Sequence, residues 1–212
     1  MTDLQQRSGT VQNGPPSFGN INTQWVHERI IMEKKSLTKL HWLYFSIIVC
    51  VMVVVDQLTK WLATLYLKNS ESVVWIKGVF ELQYHENRGA AFSSLQGKGV
   101  LLVCGTIVIL ALVLYSYHKI PRETRYVPLR VIFAMLTAGA IGNMVDRIMN
   151  GYVVDFLYFS LINFPIFNIA DCYVTVSVIL FAIYAFFIYK EDELDFLFTL
   201  KKKKVENESS DE

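Results

Sequence analysis

Apolar side chains in this chain gather into four long runs, each too uniformly apolar to leave a face for water. They extend approximately from Trp42 to Tyr66, Val100 to Tyr117, Val127 to Met144 and Cys172 to Tyr189. A hydrocarbon core is crossed by roughly 20 helical residues at about 1.5 Å each, so each run predicts a membrane-spanning helix. The first run carries Asp56 and Lys60 in its later half, and the third carries Arg130 near its start. A soluble all-α domain does not fit, because helices apolar all round have no polar face to show water.

The connections carry their own pattern. Val73-Val74-Trp75-Ile76 and Phe80-Glu81-Leu82-Gln83-Tyr84 are rich in β-branched and aromatic residues around Gly78, which predicts a small hairpin lying on the membrane. Trp75 and Tyr84 suit the headgroup zone. Next comes Asn87-Arg88-Gly89-Ala90-Ala91-Phe92, whose small residues let backbone approach a ligand or a neighbouring helix. The expected fold is an all-α membrane protein of four transmembrane helices, with a small β-structured extracytoplasmic loop region lying on the membrane.

Composition agrees: 53% of residues are apolar and 18% are charged, and the mean hydropathy is positive. The net charge of +1, with its basic residues gathered at particular loops, argues against a nucleic-acid partner. Arg29, Lys34, Lys35 and Lys39 precede the first span, Lys119, Arg122 and Arg125 fill the second link, and Lys190 with Lys201 to Lys204 follows the fourth. By the positive-inside rule these segments and both termini are cytoplasmic, and loops of about Leu67 to Gly99 and Val145 to Asp171 face outward. Three parts are expected: a polar, disordered extension over 1–38, a four-span membrane domain over 39–190, and a charged cytoplasmic tail over 191–212. No cleavable signal peptide is expected, since the first apolar run starts after residue 40. Cys50, Cys104 and Cys172 lie in or beside apolar runs and are expected to pack as small hydrophobes.

Polar residues fall at one depth. Asp56 lies 14 residues past Trp42, about 21 Å of helix and so in the outer third of the first span. Asn143, Asp146 and Arg147 end the third span, and Asn168 and Asp171 begin the fourth, with Asp155 between them. A carboxylate at the mouth of a span is costly, and a pair on one side suggests acid and base chemistry at the lipid surface. Each has a plainer reading. Asp56 and Lys60, or Asn143 and Arg147, are spaced to pair along a helix. Asp146 and Arg147 could form a surface ion pair, Asp171 could serve the helix dipole, and Asp155 could sit in a loop in water.

The ordered blocks decide between these. Asp56-Gln57-Leu58-Thr59-Lys60, Asn87 to Phe92, Gly142-Asn143-Met144-Val145-Asp146-Arg147, Val153-Val154-Asp155-Phe156 and Phe167-Asn168-Ile169-Ala170-Asp171 resemble, in order, those of the lipoprotein signal peptidases, the bacterial signal peptidase II family. The resemblance covers roughly residues 40 to 190. It implies a four-span aspartic protease of the bacterial inner membrane, sensitive to globomycin. Such an enzyme cuts the signal peptide from a prolipoprotein just before its diacylglyceryl-modified cysteine. The family's catalytic aspartates fall on Asp155 and Asp171, and its substrate-binding or supporting residues on Asp56, Lys60, Asn87, Gly89, Asn143, Arg147 and Asn168. The implied partners are diacylglyceryl-modified prolipoproteins and membrane lipid. No metal or cofactor is implied, and a monomer is expected.

Two neighbouring carboxylates share one proton, so one can activate a water while the other donates to the scissile carbonyl. Other protease chemistries fit badly. There is no Gly-x-Ser-x-Gly elbow, His41 and His118 fall on the cytoplasmic side, and Ile31 stands where a zinc helix starting at His27-Glu28 needs its second histidine. Two rivals come from other classes: a proton- or ion-coupled transport component using Asp56, Asp155 and Asp171 as a relay, and a magnesium-dependent enzyme of lipid headgroups. The chain is not itself a substrate of such a peptidase, since Val49, Val103 and Asp171 precede its cysteines where a small residue is needed.

Overall fold

The computed structural model describes residues 23–89 and 99–198. They divide into two units that meet between Leu40 and His41. The first helix, α1, spans Thr23–Leu67. Residues 23 to 38, expected to be irregular, are therefore helical: no Gly or Pro interrupts the chain from Thr23 to Leu67, and Glu28, Arg29, Met32, Glu33 and Lys39 are good helix formers. Residues 1–22, the block residues Ala90, Ala91 and Phe92, and the tail from Thr199 with its Lys201 to Lys204 run lie outside the described residues.

Within the second unit, α1 is followed by strands β1 (Val73–Ile76) and β2 (Phe80–Asn87), then α2 (Gly99–Lys119) and α3 (Val127–Asn150). Strand β3 (Val153–Tyr158) precedes α4 (Ile169–Ile183), which ends in a π-helical turn over Tyr184–Ile188; a short α5 (Asp195–Phe198) closes the described chain. Among the described residues, four helices are long and apolar enough to cross a membrane. The third runs past its expected end at Met144 to Asn150, where Gly151, at φ 78°, supplies the left-handed stop.

The centre of the bundle is α3. Leu129, Ala134 and Ala138 are fully buried, whereas Val54, Leu58, Val108, Leu112, Val178 and Ile179 on the other spans are exposed, as side chains facing lipid must be. Small residues bring α3 against α4: a Cβ on Gly139 would lie 2.5 Å from the Ala170 carbonyl oxygen. At the far end, Tyr117 packs on Trp42 and Phe45 and donates to the His41 carbonyl.

The hairpin forms as expected, with Gly78 at φ 72° in its turn. The third strand does not follow from that expectation. β3 pairs antiparallel with β2, setting His85 opposite Asp155 and Asn87 opposite Val153, so the sheet order is β1-β2-β3. Its other edge is held at Leu157 by Phe167 through backbone hydrogen bonds of 2.8 and 3.0 Å. The segment expected as an apolar loop is thus a strand buried along its first four residues.

Candidate active site

Asp155 and Asp171 enter the same cavity from different elements, Asp155 from β3 and Asp171 from the first turn of α4. Asn168 links them. Its Nδ2 donates to Asp155 Oδ1 at 2.6 Å, and its backbone N–H donates to Asp171 Oδ2 at 3.2 Å. Its own Oδ1 accepts the Asp171 N–H at 3.0 Å, so Asn168 caps α4 while touching both acids. Asp171 does serve the helix N-terminus, as its plainer reading had it, but Asp155 is 1% exposed and is not a loop residue in water.

Each carboxylate has a second amide donor. Asn87 Nδ2 donates to Asp155 Oδ2 at 2.9 Å, while Asn87 Oδ1 accepts the Gly89 N–H at 3.0 Å, which fixes which way the amide faces. Asn143 Nδ2 donates to Asp171 Oδ1 at 2.7 Å. The Asn143 Oδ1 is occupied by Lys60 Nζ at 3.0 Å and Asn168 Nδ2 at 3.1 Å, so that amide too has one orientation. Burial pushes the Asp155 carboxyl up to about 7; the Asn87 and Asn168 donors oppose that, and the charge of Asp171 adds to it.

Behind the acids lies a buried ionic cluster. Lys60 Nζ pairs with Asp56 Oδ2 at 2.8 Å and with Asp146 Oδ2 at 3.1 Å, and all three side chains are at most 3% exposed. The expected Asp56–Lys60 pair is present but not isolated. The plainer reading of Asp146 and Arg147 as a surface ion pair does not hold: Asp146 is buried and bound to Lys60, because α3 continues past Met144 and turns that position inward. Asp56 Oδ1 accepts the Ala170 N–H at 2.9 Å, a cap for α4 supplied by α1. Gly142 makes room for it, since a Cβ there would lie 2.5 Å from Asp56 Oδ2.

Arg147 lines the cavity and donates to the Asn143 carbonyl at 3.2 Å. The cavity encloses about 700 Å³, a common size for a ligand site. Besides these polar groups, Phe159, Ile162, Phe164, Pro165 and Val176 give the cavity an apolar wall. Phe159 and Ile162 of this wall flank and end a 3-10 turn over Ser160–Ile162. Arg88 lies outside the cavity lining, exposed and paired with Glu86 at 3.1 Å. With Lys68, it holds the Glu86 carboxyl at about 2.

All the residues that the sequence grouped as a site, Asp56, Lys60, Asn87, Gly89, Asn143, Arg147, Asp155, Asn168 and Asp171, stand in this network or directly against it. Sequence reasoning left out Asp146 and Gln57. Gln57 Nε2 donates to Asp146 Oδ1 at 3.0 Å and to the Gly142 carbonyl at 3.1 Å. A signal for Asp146 was present: Gly139, Gly142, Asn143 and Asp146 have the three- and four-residue spacing of one helix face.

Residues 48–187, which contain this whole arrangement, match the signal peptidase (SPase) II family. The chain belongs to that family. It is 43% identical over 135 residues to the lipoprotein signal peptidase of Caldanaerobacter subterraneus subsp. tengcongensis, covering 63% of this chain and 90% of that protein. With the lipoprotein signal peptidase of Clostridium tetani it shares 39% identity over 149 residues, 69% of this chain and 92% of the relative. A bacterial membrane enzyme solved by the in meso method is 34% identical, with a TM-score of 0.62 over 67% of this chain and 87% of that one. A second such structure gives 33% identity and a TM-score of 0.59 over 69% and 94%. The family makes this chain a multi-pass membrane peptidase.

Proposed function

We propose that this protein is an aspartic endopeptidase that removes the signal peptide of prolipoproteins, cutting just before the diacylglyceryl-modified cysteine, with Asp155 and Asp171 as the reacting pair. The observation that carries the reading is the bridge through Asn168, which holds two buried carboxyls in one cavity with amide donors on each. The relatives' names supply the substrate class. The distribution of basic residues supports reading both termini as cytoplasmic and the site as lying at the outer leaflet of the bacterial inner membrane.

In this reading the pair shares one proton, taken here as held on Asp155, whose carboxyl burial pushes up to about 7. Water lies between the carboxyls. Asp171 takes a water proton as the oxygen attacks the scissile carbonyl carbon, and Asp155 passes its proton to the carbonyl oxygen. The tetrahedral diol then collapses: the C–N bond breaks, the proton on Asp171 goes to the leaving amine of the cysteine, and Asp155 regains its own. No covalent intermediate forms with the protein. Asn87, Asn143 and Asn168 hold the carboxylate faces, and Arg147 faces the substrate. The apolar wall suits acyl chains anchored at the same depth, so catalysis is largely placement.

The test is incubation of the purified protein with a diacylglyceryl-modified prolipoprotein, with and without globomycin. Cleavage before the modified cysteine, blocked by globomycin and absent from Asp155→Asn and Asp171→Asn, is expected. Substantial cleavage by either variant removes that residue from the pair, and no cleavage by folded wild-type protein overturns the reading.

A further inference from the structure

The ionic cluster behind the site has a geometry that pair neutralisation does not explain. Lys60 lies between Asp56 and Asp146, and each of these acids accepts the backbone N–H of the residue immediately before one member of the reacting pair. Asp56 Oδ1 takes the Ala170 N–H at 2.9 Å, next to Asp171. Asp146 Oδ2 takes the Val154 N–H at 3.1 Å, next to Asp155. We infer that Asp146 is a positioning residue for the peptidase reaction, and that the Asp56–Lys60–Asp146 triad acts as a spacer setting how far apart the backbones of Asp155 and Asp171 stand.

The strand explains why Asp146 is required. One edge of β3 pairs with β2, and on the other edge backbone pairing to Phe167 serves Phe156 and Leu157. Val154 is 5% exposed, and the Asp146 carboxylate is the acceptor that its N–H finds. An unmet buried N–H is costly, and without its acceptor the strand is free to shift where Asp155 begins. Gln57 Nε2 holds the other oxygen of Asp146 at 3.0 Å, so the carboxylate cannot rotate freely. Lys60 then fixes Asp146 relative to Asp56, and the same ammonium orients the Asn143 amide that serves Asp171.

A spacer differs from a mere structural ion pair in what its loss changes. The charges acting on Asp155 are Asp171 from α4 and Lys60 from α1, with Arg147 from α3; Asp56 from α1 and Asp146 from α3 bear on it through Lys60, which pairs with both. On β2, Glu86 is tied to Lys68 and Arg88, and His85 is exposed. Asp146→Asn removes one negative charge from this set and leaves Lys60 less neutralised, which favours the Asp155 anion.

The inference rests on the proposed peptidase reading, and wild-type protein in the same cleavage assay separates the two. If wild type does not cleave, that reading falls; if wild type cleaves and the variants match it, the spacer falls. For full-length Asp146→Asn, kcat should drop by about tenfold or more with KM within about twofold. The alkaline limb of its kcat/KM profile should move to lower pH by about half a unit or more. Hydrogen exchange of the segment around Val154 should accelerate in Asp146→Ala, a readout independent of turnover. Should neither variant fold, Gln57→Met keeps the ions and frees the Asp146 carboxylate, and it should lower kcat at constant KM. Wild-type kcat and an unmoved alkaline limb in Asp146→Asn, unchanged exchange in Asp146→Ala, or wild-type kcat in Gln57→Met would each overturn the spacer.

Discussion

Asn168 donates its side-chain amide to Asp155 at 2.6 Å while its carbonyl oxygen caps the helix that carries Asp171. One residue thus does two separable jobs, and substitution can divide them. Serine can accept the Asp171 N–H as a cap but is too short and lacks the amide donor for Asp155. Asn168→Ser should therefore keep thermal stability near wild type while lowering kcat by about a hundredfold. Asn168→Ala should lose the activity and also about 1 kcal/mol of stability. Melting curves in detergent beside cleavage rates check this, and equal activity of the serine variant and wild type would remove the Asn168–Asp155 contact from the mechanism.

Burial sets the pH response. With the Asp155 carboxyl pushed up to about 7, the folded protein holds a proton that the unfolded chain releases near pH 4. Between those values the unfolded state binds fewer protons, so stability falls as pH rises from about 4 to about 7. Asp155→Asn removes that penalty and should raise the melting temperature more at pH 8 than at pH 5. The kcat/KM of the wild type should decline above about pH 7, as the shared proton leaves the pair. A rate that stays flat to pH 9 would contradict this assignment of the proton.

Close helix contact is a further requirement. An added methyl at Gly142 would lie 2.5 Å from Asp56 Oδ2 and 3.3 Å from the Ala170 Cβ. The carboxylate must move, and with it the cap on Ala170 and the pair with Lys60. Gly142→Ala should insert and express but lose at least about tenfold in kcat. Gly105→Ala on α2, where nothing lies within 4 Å of the new Cβ, should behave as wild type and serve as the control. Equal activity of the two variants would show that the niche tolerates the methyl.

The spans and the hairpin were legible because their signals are local, whereas Asp155 and Asp171 stood out through the ordered blocks of the family resemblance and not through any local pattern. A run such as Cys172 to Tyr189 declares its length and apolarity directly, and β-branched residues around Gly78 declare a turn between strands. What was not legible depends on partners distant along the chain. Val153 to Tyr158 becomes a strand because β2, about 70 residues earlier, offers a free edge. Asp146 reads as half of a surface pair with its neighbour Arg147, and only the packing of α1 on α3 brings Lys60 to it. The helix over 23–38 was obscured for another reason: its polar composition resembles the segment before it, although it contains neither Gly nor Pro.

The apolar wall makes a prediction of a different kind from the polar one. Ile162 and Phe164 line the same cavity as the acids yet are 68% and 47% exposed, so their removal leaves little cavity inside the protein. As hydrocarbon side chains they can neither give nor take a proton, and any contact with acyl chains exists equally before and during the reaction. Interactions of that sort lower KM without raising kcat. Fully burying a large apolar side chain is worth about 1.5–3 kcal/mol, and partial burial against a lipid tail about 1, or roughly fivefold in binding. Ile162→Ser and Phe164→Ser should therefore raise KM for a diacylglyceryl-modified prolipoprotein by about three- to tenfold with kcat unchanged. The difference from wild type should shrink as the acyl chains of the substrate are shortened. Steady-state kinetics across a chain-length series measures both effects, and a fall in kcat at constant KM would place this loop in the chemistry instead.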